Sequence, residues 1–296
     1  MSPVVAGLGL ALLASVALNG SFLLQHVGSA STEAIPPAHP LRTFRALLSA
    51  PLWTIGGALG MLGWGLHVLA LTKAPLSLVQ AFVAGGVAFT VPAARWWLRR
   101  PISRREVGCV LALAAGLAIL GTGVVGAGRG LAFSDVALAA FLGTTAAGAA
   151  ALAGAGVRRA RPLLLAAAGG LLYGGADLAI KVLTGVFAAG GLAGALRSPW
   201  LAVAVGLTVP AFFAFQRSLQ AGRAVPAIAL MTAGTYVVSI GGGLAILGDR
   251  LGHSTLGTTL HAAALVVVVL AACRLAGSQA QVALEAVPAR GAPAAR

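Results

Sequence analysis

Acidic residues are scarce: 6 Asp and Glu stand against 20 Lys and Arg in 296 residues, and charged residues make up only 9% of the chain. Soluble domains carry about 25% charge, so a water-soluble globular protein is excluded. The sequence shows no paired carboxylates, no His-Glu motif and no Ser-His-Asp spacing, which removes the enzyme classes that depend on them. Cysteine is nearly absent. Cys109 and Cys273 both fall in apolar runs without metal-ligand spacing, which argues against a disulfide framework or a zinc site. No metal and no cofactor is expected. Met1 to Gly20 contains no Lys or Arg, so the basic start of a signal peptide is missing and this block reads as a retained helix.

Apolar residue is what the chain has in plenty. It is 59% hydrophobic, with a mean hydropathy of +0.96, and the apolar residues come in blocks long enough to cross a bilayer core of about 30 Å. Nine such spans are expected, near residues 3–24, 50–71, 75–98, 106–126, 133–156, 162–187, 199–219, 224–247 and 255–275. Between the first two lies STEAIPPAHP, too rich in proline to be helical throughout. The tail 277–296 is read as disordered and cytoplasmic. A net charge of +14 would suggest nucleic acid in a soluble chain. Here the basic residues sit in short loops beside apolar blocks, where they orient a membrane protein.

Two stretches share a layout. Ala224–Gly257 is a long apolar run, a turn with Asp249 and Arg250, and a glycine opening the next run; Ala74–Gly108 repeats it with a basic turn. Sorting Lys and Arg by side puts fifteen on one face (Arg42, Arg45, the 95–105 and 158–161 clusters, Arg217, Arg223 and the C-terminal arginines) and five on the other. The first face is therefore read as cytoplasmic, with the N-terminus outside and the C-terminus inside. Four helices, one linker and four more make the second quartet enter from the opposite face, as an inverted repeat. The expected organisation is an all-α polytopic membrane protein. Its first four-helix repeat is 1–126, its linking helix 127–160 and its second repeat 161–276. Residues 137–156 lack polar side chains beyond Thr144 and Thr145, which suits the linker.

The runs ALTKAPLSLVQ (70–80), LLYGGADLAIK (171–181) and LGDRLGHSTLG (247–257) resemble the drug/metabolite transporter superfamily. In its EamA-type repeats a helical hairpin ends in a Gly-Glu-Arg-Leu-like turn with a glycine opening the closing helix. This chain has Gly248-Asp249-Arg250-Leu251 and then Gly257, with Asp replacing Glu; the first-half counterpart, Arg99-Arg100-Pro101-Ile102, has no acid. EamA-type members usually have ten helices, and a 4+1+4 count is closer to the NIPA-like magnesium transporter branch. The resemblance implies a secondary transporter of a small metabolite or drug-like solute in the bacterial inner membrane, with a NIPA-like divalent-cation role as the first alternative. A non-transporting membrane scaffold is the other. The partners expected are the lipid bilayer, a small-molecule solute with a proton or cation as coupling ion, and a second copy in a homodimer; nucleic acid is not among them.

Charge inside a bilayer costs several kcal/mol, and the only acid well inside a span is Asp177, about 22 Å from Pro162 at about 1.5 Å per residue. Lys181 follows four residues on, on the same helix face. The two are read either as a coupling or substrate-charge site, or as a pair that neutralises itself while Lys181 snorkels outward. Laying NGSFLLQ (19–25) beside GADLAIK (175–181) sets Ser21 against Asp177 and Gln25 against Lys181, making Asn19 and Gln25 candidates for substrate contact or for bonds between helices. His67 is either a titrating group or a packing residue, and Gln80 either lines an outer vestibule or caps a hairpin. Thr232, Tyr236, Ser239 and Gly243 form one helical stripe, a cavity wall or a packing face. The substrate-binding candidates are thus Asn19, Gln25, His67, Gln80, Asp177, Lys181 and Tyr236. Gly56 with Gly60, Gly170 with Gly174, and 241–243 are expected at helix contacts, and Pro92 and Pro210 at kinks.

Overall fold

A computed structural model describes residues 2–30, 48–85, 92, 95–96, 101–122, 133–155, 161–221, 224–249 and 254–286. Among them the chain is all-helical, with no strand. The helices are α1 (Pro3–Ala30), α2 (Pro51–Leu71), α3 (Leu76–Gly85), α4 (Arg104–Thr122), α5 (Asp135–Gly154), α6 (Arg161–Arg197), α7 (Pro199–Ala221), α8 (Ala224–Ala245) and α9 (Thr255–Ala286). Five of them, α1, α2, α5, α6 and α9, contain stretches long and apolar enough to cross a membrane. This is an all-α membrane protein. The loop 31–47, the turn at Arg99 and Arg100, Arg250 and residues 287–296 lie outside the described residues.

Local chemistry sets the ends. Pro51 and Pro199 open α2 and α7, where a missing N–H costs nothing. Ser134 caps α5 by accepting from Ala137 N, with Asp135 in the first turn at the positive end of the helix dipole. Before α4, Ser103 and Glu106 form a reciprocal box: Glu106 N donates to Ser103 Oγ (3.2 Å) and Ser103 N to Glu106 Oε2 (2.8 Å). Gly248 ends α8 at φ 67°, a left-handed conformation that favours glycine. It lets Asp249 N reach back to the Gly243 carbonyl (3.0 Å).

Three ends differ from expectation, the first being α1, which runs to Ala30 rather than to residue 24. α9 continues to Ala286, so residues 277–286, read as part of a disordered tail, are helical. The sequence there, GSQAQVALEA, is mostly good helix formers, and no proline appears before Pro288. α6 runs past residue 187 to Arg197 but is broken at Gly191, whose φ of 62° and ψ of −162° are not helical. Pro210 lies inside α7, which stays one helix.

The helices pack in two sets. α1 packs on α2 and α3, and α3 on α4; α6 packs on α7 and α8, and α8 on α9. Across the sets α3 meets α8 and α4 meets α9, while α5 leans on α6. One buried apolar cluster runs through both, from Leu71, Leu76 and Val79 to Leu113, Leu178 and Val268. Outward apolar side chains such as Leu13, Met61, Val136 and Leu256 are exposed, as lipid-facing residues are. Burial from water does not drive helices together in lipid, so close contact at small residues must. A Cβ on Gly170 would lie 2.3 Å from the Met231 carbonyl oxygen, and one on Gly174 2.7 Å from that of Thr235, both on α8. These two glycines are contacts as expected; Gly241 is not, having nothing within 4 Å.

Gly170→Ala therefore pushes a methyl against backbone that cannot rotate away. It is expected to lower stability by about 1–3 kcal/mol, read as an earlier thermal unfolding midpoint in detergent. Gly206→Ala on α7, with nothing within 4 Å, is expected to be neutral or stabilising by up to ~1 kcal/mol through helix propensity.

Candidate functional site

α6 is the most buried of the long helices, because α5, α7 and α8 all pack on it. Its glycines and alanines from Gly169 to Ala179 admit those neighbours closely, and Asp177 interrupts that apolar stripe. The carboxylate turns to the other helix set. Gln80 of α3, 1% exposed, donates Nε2–H to Asp177 Oδ2 at 2.7 Å. His67 of α2 holds Nε2 at 3.5 Å from Asp177 Oδ1, longer than a hydrogen bond of about 2.7–3.2 Å. Tyr173 of α6 and Tyr236 of α8 lie within electrostatic reach of the same carboxylate.

Lys181 is occupied elsewhere. Its Nζ donates to the carbonyls of Leu71 (2.6 Å) and Ala74 (2.8 Å), at the end of α2 and in the turn that follows. It thus caps the negative end of the α2 dipole. Among the described residues Asp177 and Lys181 do not form the self-neutralising pair that their spacing allowed; each faces a different part of the first helix set.

Lys181 instead interacts electrostatically with Asp249. Asp249, just beyond α8, accepts from both Ser77 N and Ser77 Oγ at 2.8 Å. Residues Ala74-Pro75 ahead of α3 have no side chain able to cap it, so an acid from the opposite helix set serves as the cap. Gly243 makes room: a Cβ there would lie 2.7 Å from Asp249 Oδ2. Burial pushes the Asp249 carboxyl above its ordinary range, while the Ser77 bonds and Lys181 pull it down. A raised folded-state pKa means the folded chain binds the proton more tightly than the unfolded one. This group's contribution is therefore most favourable in acid and is lost as pH rises through the folded value. Asp249→Asn keeps an acceptor for Ser77 and removes the titration, so the thermal midpoint of the variant should fall less than the wild type's as pH rises through the acid range.

Of the seven candidates, the structure brings four together, His67, Gln80, Asp177 and Tyr236, while Lys181 binds the turn after α2. Gln80 is buried beside Asp177, and the cap of the α2–α3 hairpin is Asp249. Asn19 is apart, donating Nδ2–H to the carbonyl of Ser15 (2.8 Å) and to its Oγ (3.1 Å); Ser15 Oγ donates in turn to the Val83 carbonyl of α3. The side chain of Gln25 lies outside the described residues. In the α8 stripe Ser239 is fully buried and donates to the Thr235 carbonyl at 2.7 Å. Asp249 and Ser77 are the members that sequence reasoning missed. The Gly248-Asp249 turn drew notice as a motif, but nothing in its spacing told that its acid reaches the start of α3.

A third buried acid stands at the start of α4. Glu106 accepts from Arg95 Nη2 at 3.2 Å, with both side chains about one-tenth exposed. The first-half turn has no acid of its own, yet one stands in the opening turn of α4. Among the described residues no three His, Cys, Asp or Glu side chains converge as metal ligands. No protein-family model matches the chain, and no curated protein or solved structure matches it either.

Proposed function

We propose that the protein is a secondary carrier, in which two four-helix units of opposite orientation rock about a site between them and move a small polar solute across the cell membrane. The observation that carries this is Asp177: a carboxylate inside a membrane helix, contacted by Gln80 and His67 of the other unit and not neutralised by its neighbour Lys181. A charge so placed is costly and is typically kept for a function. The packing supports the inverted repeat. The pairs α1–α2, α1–α3 and α3–α4 recur as α6–α7, α6–α8 and α8–α9, while α3–α8 and α4–α9 each join equivalent helices, a pattern that two-fold related units give; α1–α9, α3–α9 and α2–α6 fall outside it. α5 leans on α6, which suits a linker.

Under this reading α2 and α3 turn on the outer face, where Lys181 and Asp249 bind that turn, and the clusters at 99–105 and 158–161 face the cytoplasm. The likeness of its turns to drug/metabolite transporters points the same way. A divalent-ion carrier fits less well, since a Mg²⁺ site uses one or two carboxylates plus waters and here Asp177 is already engaged by a glutamine N–H. The test is uptake into proteoliposomes over a panel of labelled amino acids, organic amines, nucleosides and sugars. Uptake of at least one class above empty vesicles is expected. Folded protein that moves none of them would replace the carrier with a membrane scaffold.

A further inference from the structure

The buried charges around α6 do not balance. Lys181, one turn beyond Asp177, has Asp249 as its opposite charge. That leaves Asp177 with neutral company from Gln80, Tyr173 and Tyr236, and with His67. His67 is 5% exposed, and neither ring nitrogen makes a hydrogen bond among the described residues. A neutral imidazole has one donor and one acceptor, and leaving both dry costs free energy. Its Nε2 nevertheless points to within 3.5 Å of a carboxylate oxygen. An orphaned, buried nitrogen aimed at an uncompensated acid is a site short of one positive charge.

We infer that His67 and Asp177 are the carrier's proton-binding pair, with the proton held on His67 Nε2; this rests on the carrier reading and names its coupling ion. A proton from water adds to the Nε2 lone pair without breaking any bond. The imidazolium donates Nε2–H to Asp177 Oδ1, and the local charge goes from −1 to zero. The separation would close from 3.5 Å toward about 2.8 Å, the length of a charge-assisted bond. Because His67 is on α2 and Asp177 on α6, protonation draws the two helix sets together at this point, and loss of the proton lets them part. That is a differential interaction of the kind a ligand needs to shift a conformational equilibrium.

Around the pair, α6 supplies Asp177, Tyr173 and Lys181; α8 and the loop after it supply Tyr236 and Asp249; α9 supplies Cys273, beside Tyr236. α3 supplies the neutral Gln80, and α1 supplies no titratable side chain among those described. Lys181 is the one cation of the group, and its ammonium is bound to two carbonyls near the end of α2.

The experiment counts protons and needs no cargo. Full-length protein in nanodiscs is titrated with a calibrated pH dye from about pH 8 to pH 5, the window in which histidine changes charge. Wild type should take up one more proton per chain than His67→Gln, and one more than Asp177→Asn, which has lost the counter-charge. Equal uptake by wild type and His67→Gln overturns the inference. So does loss of the proton only in Asp177→Asn, which would put it on the carboxylate. Asp177→Asn keeps the test alive if His67→Gln does not fold: uptake equal to wild type would again overturn it. A proton count as expected from a protein that transports no solute would sink the carrier reading and leave the pair standing.

Discussion

Glu106→Ala is expected to destabilise the protein by about 3–5 kcal/mol, the cost of breaking a buried ion pair by removing one member. Arg95 and Glu106 are about one-tenth exposed, so little solvent screens either charge. The same substitution removes the acceptor for Ser103 N and so opens the start of α4. Total stabilities of about 5–15 kcal/mol leave little margin for such a loss. The thermal midpoint in detergent should fall sharply, with less monodisperse protein recovered. Glu106→Gln keeps an acceptor for the cap and isolates the charge, so it should recover part of the loss. The double variant Arg95→Leu, Glu106→Ala should cost less than Glu106→Ala alone, because the buried arginine charge is removed with the acid. A single-variant loss below about 0.5 kcal/mol would mean that solvent reaches the pair and that it behaves like a surface bridge.

Asp177→Asn is expected to lower solute uptake roughly 10- to 100-fold. Hydrogen bonds to a charged group contribute about 1.5–3 kcal/mol, and each 1.4 kcal/mol is about tenfold in binding. Asparagine has the size of aspartate and can still accept from Gln80, so the helices should stay packed and the thermal midpoint near that of wild type. Loss of uptake with retained fold is the signature of a functional charge. Retained uptake would return Asp177 to a packing role and leave the carrier without its central residue.

Much of the architecture was legible in the sequence because bilayer thickness imposes a length. The expected spans 50–71, 133–156 and 224–247 became α2, α5 and α8 within a few residues. The errors came where that rule loses force. Past residue 275, helix propensity alone decides the structure, and Ala, Gln and Leu carry α9 on to Ala286. At Gly191 a break in α6 follows from one residue's conformation, which hydropathy does not encode.

The site was legible as residue types, and its pairings were not. Asp177 stood out because an acid in an apolar run is rare, and Gln80, His67 and Tyr236 because polar groups in spans are few. A spacing of four suggested that Asp177 and Lys181 would meet. Contacts across the bundle won instead: Gln80 for the acid, and two backbone carbonyls for the lysine. Helical periodicity places side chains on a face; it cannot tell which neighbour that face will meet.

The most direct test of the account is the sidedness of four positions, since everything rests on two quartets inserted upside down with respect to each other. Single cysteines at Thr72, Ser254, Ser103 and Arg161, introduced after Cys109 and Cys273 are replaced, can be reacted in intact cells with a membrane-impermeant maleimide. Thr72 and Ser254 should label from outside, and Ser103 and Arg161 only after the membrane is opened. Labelling of Ser103 and Arg161 from different faces would contradict it.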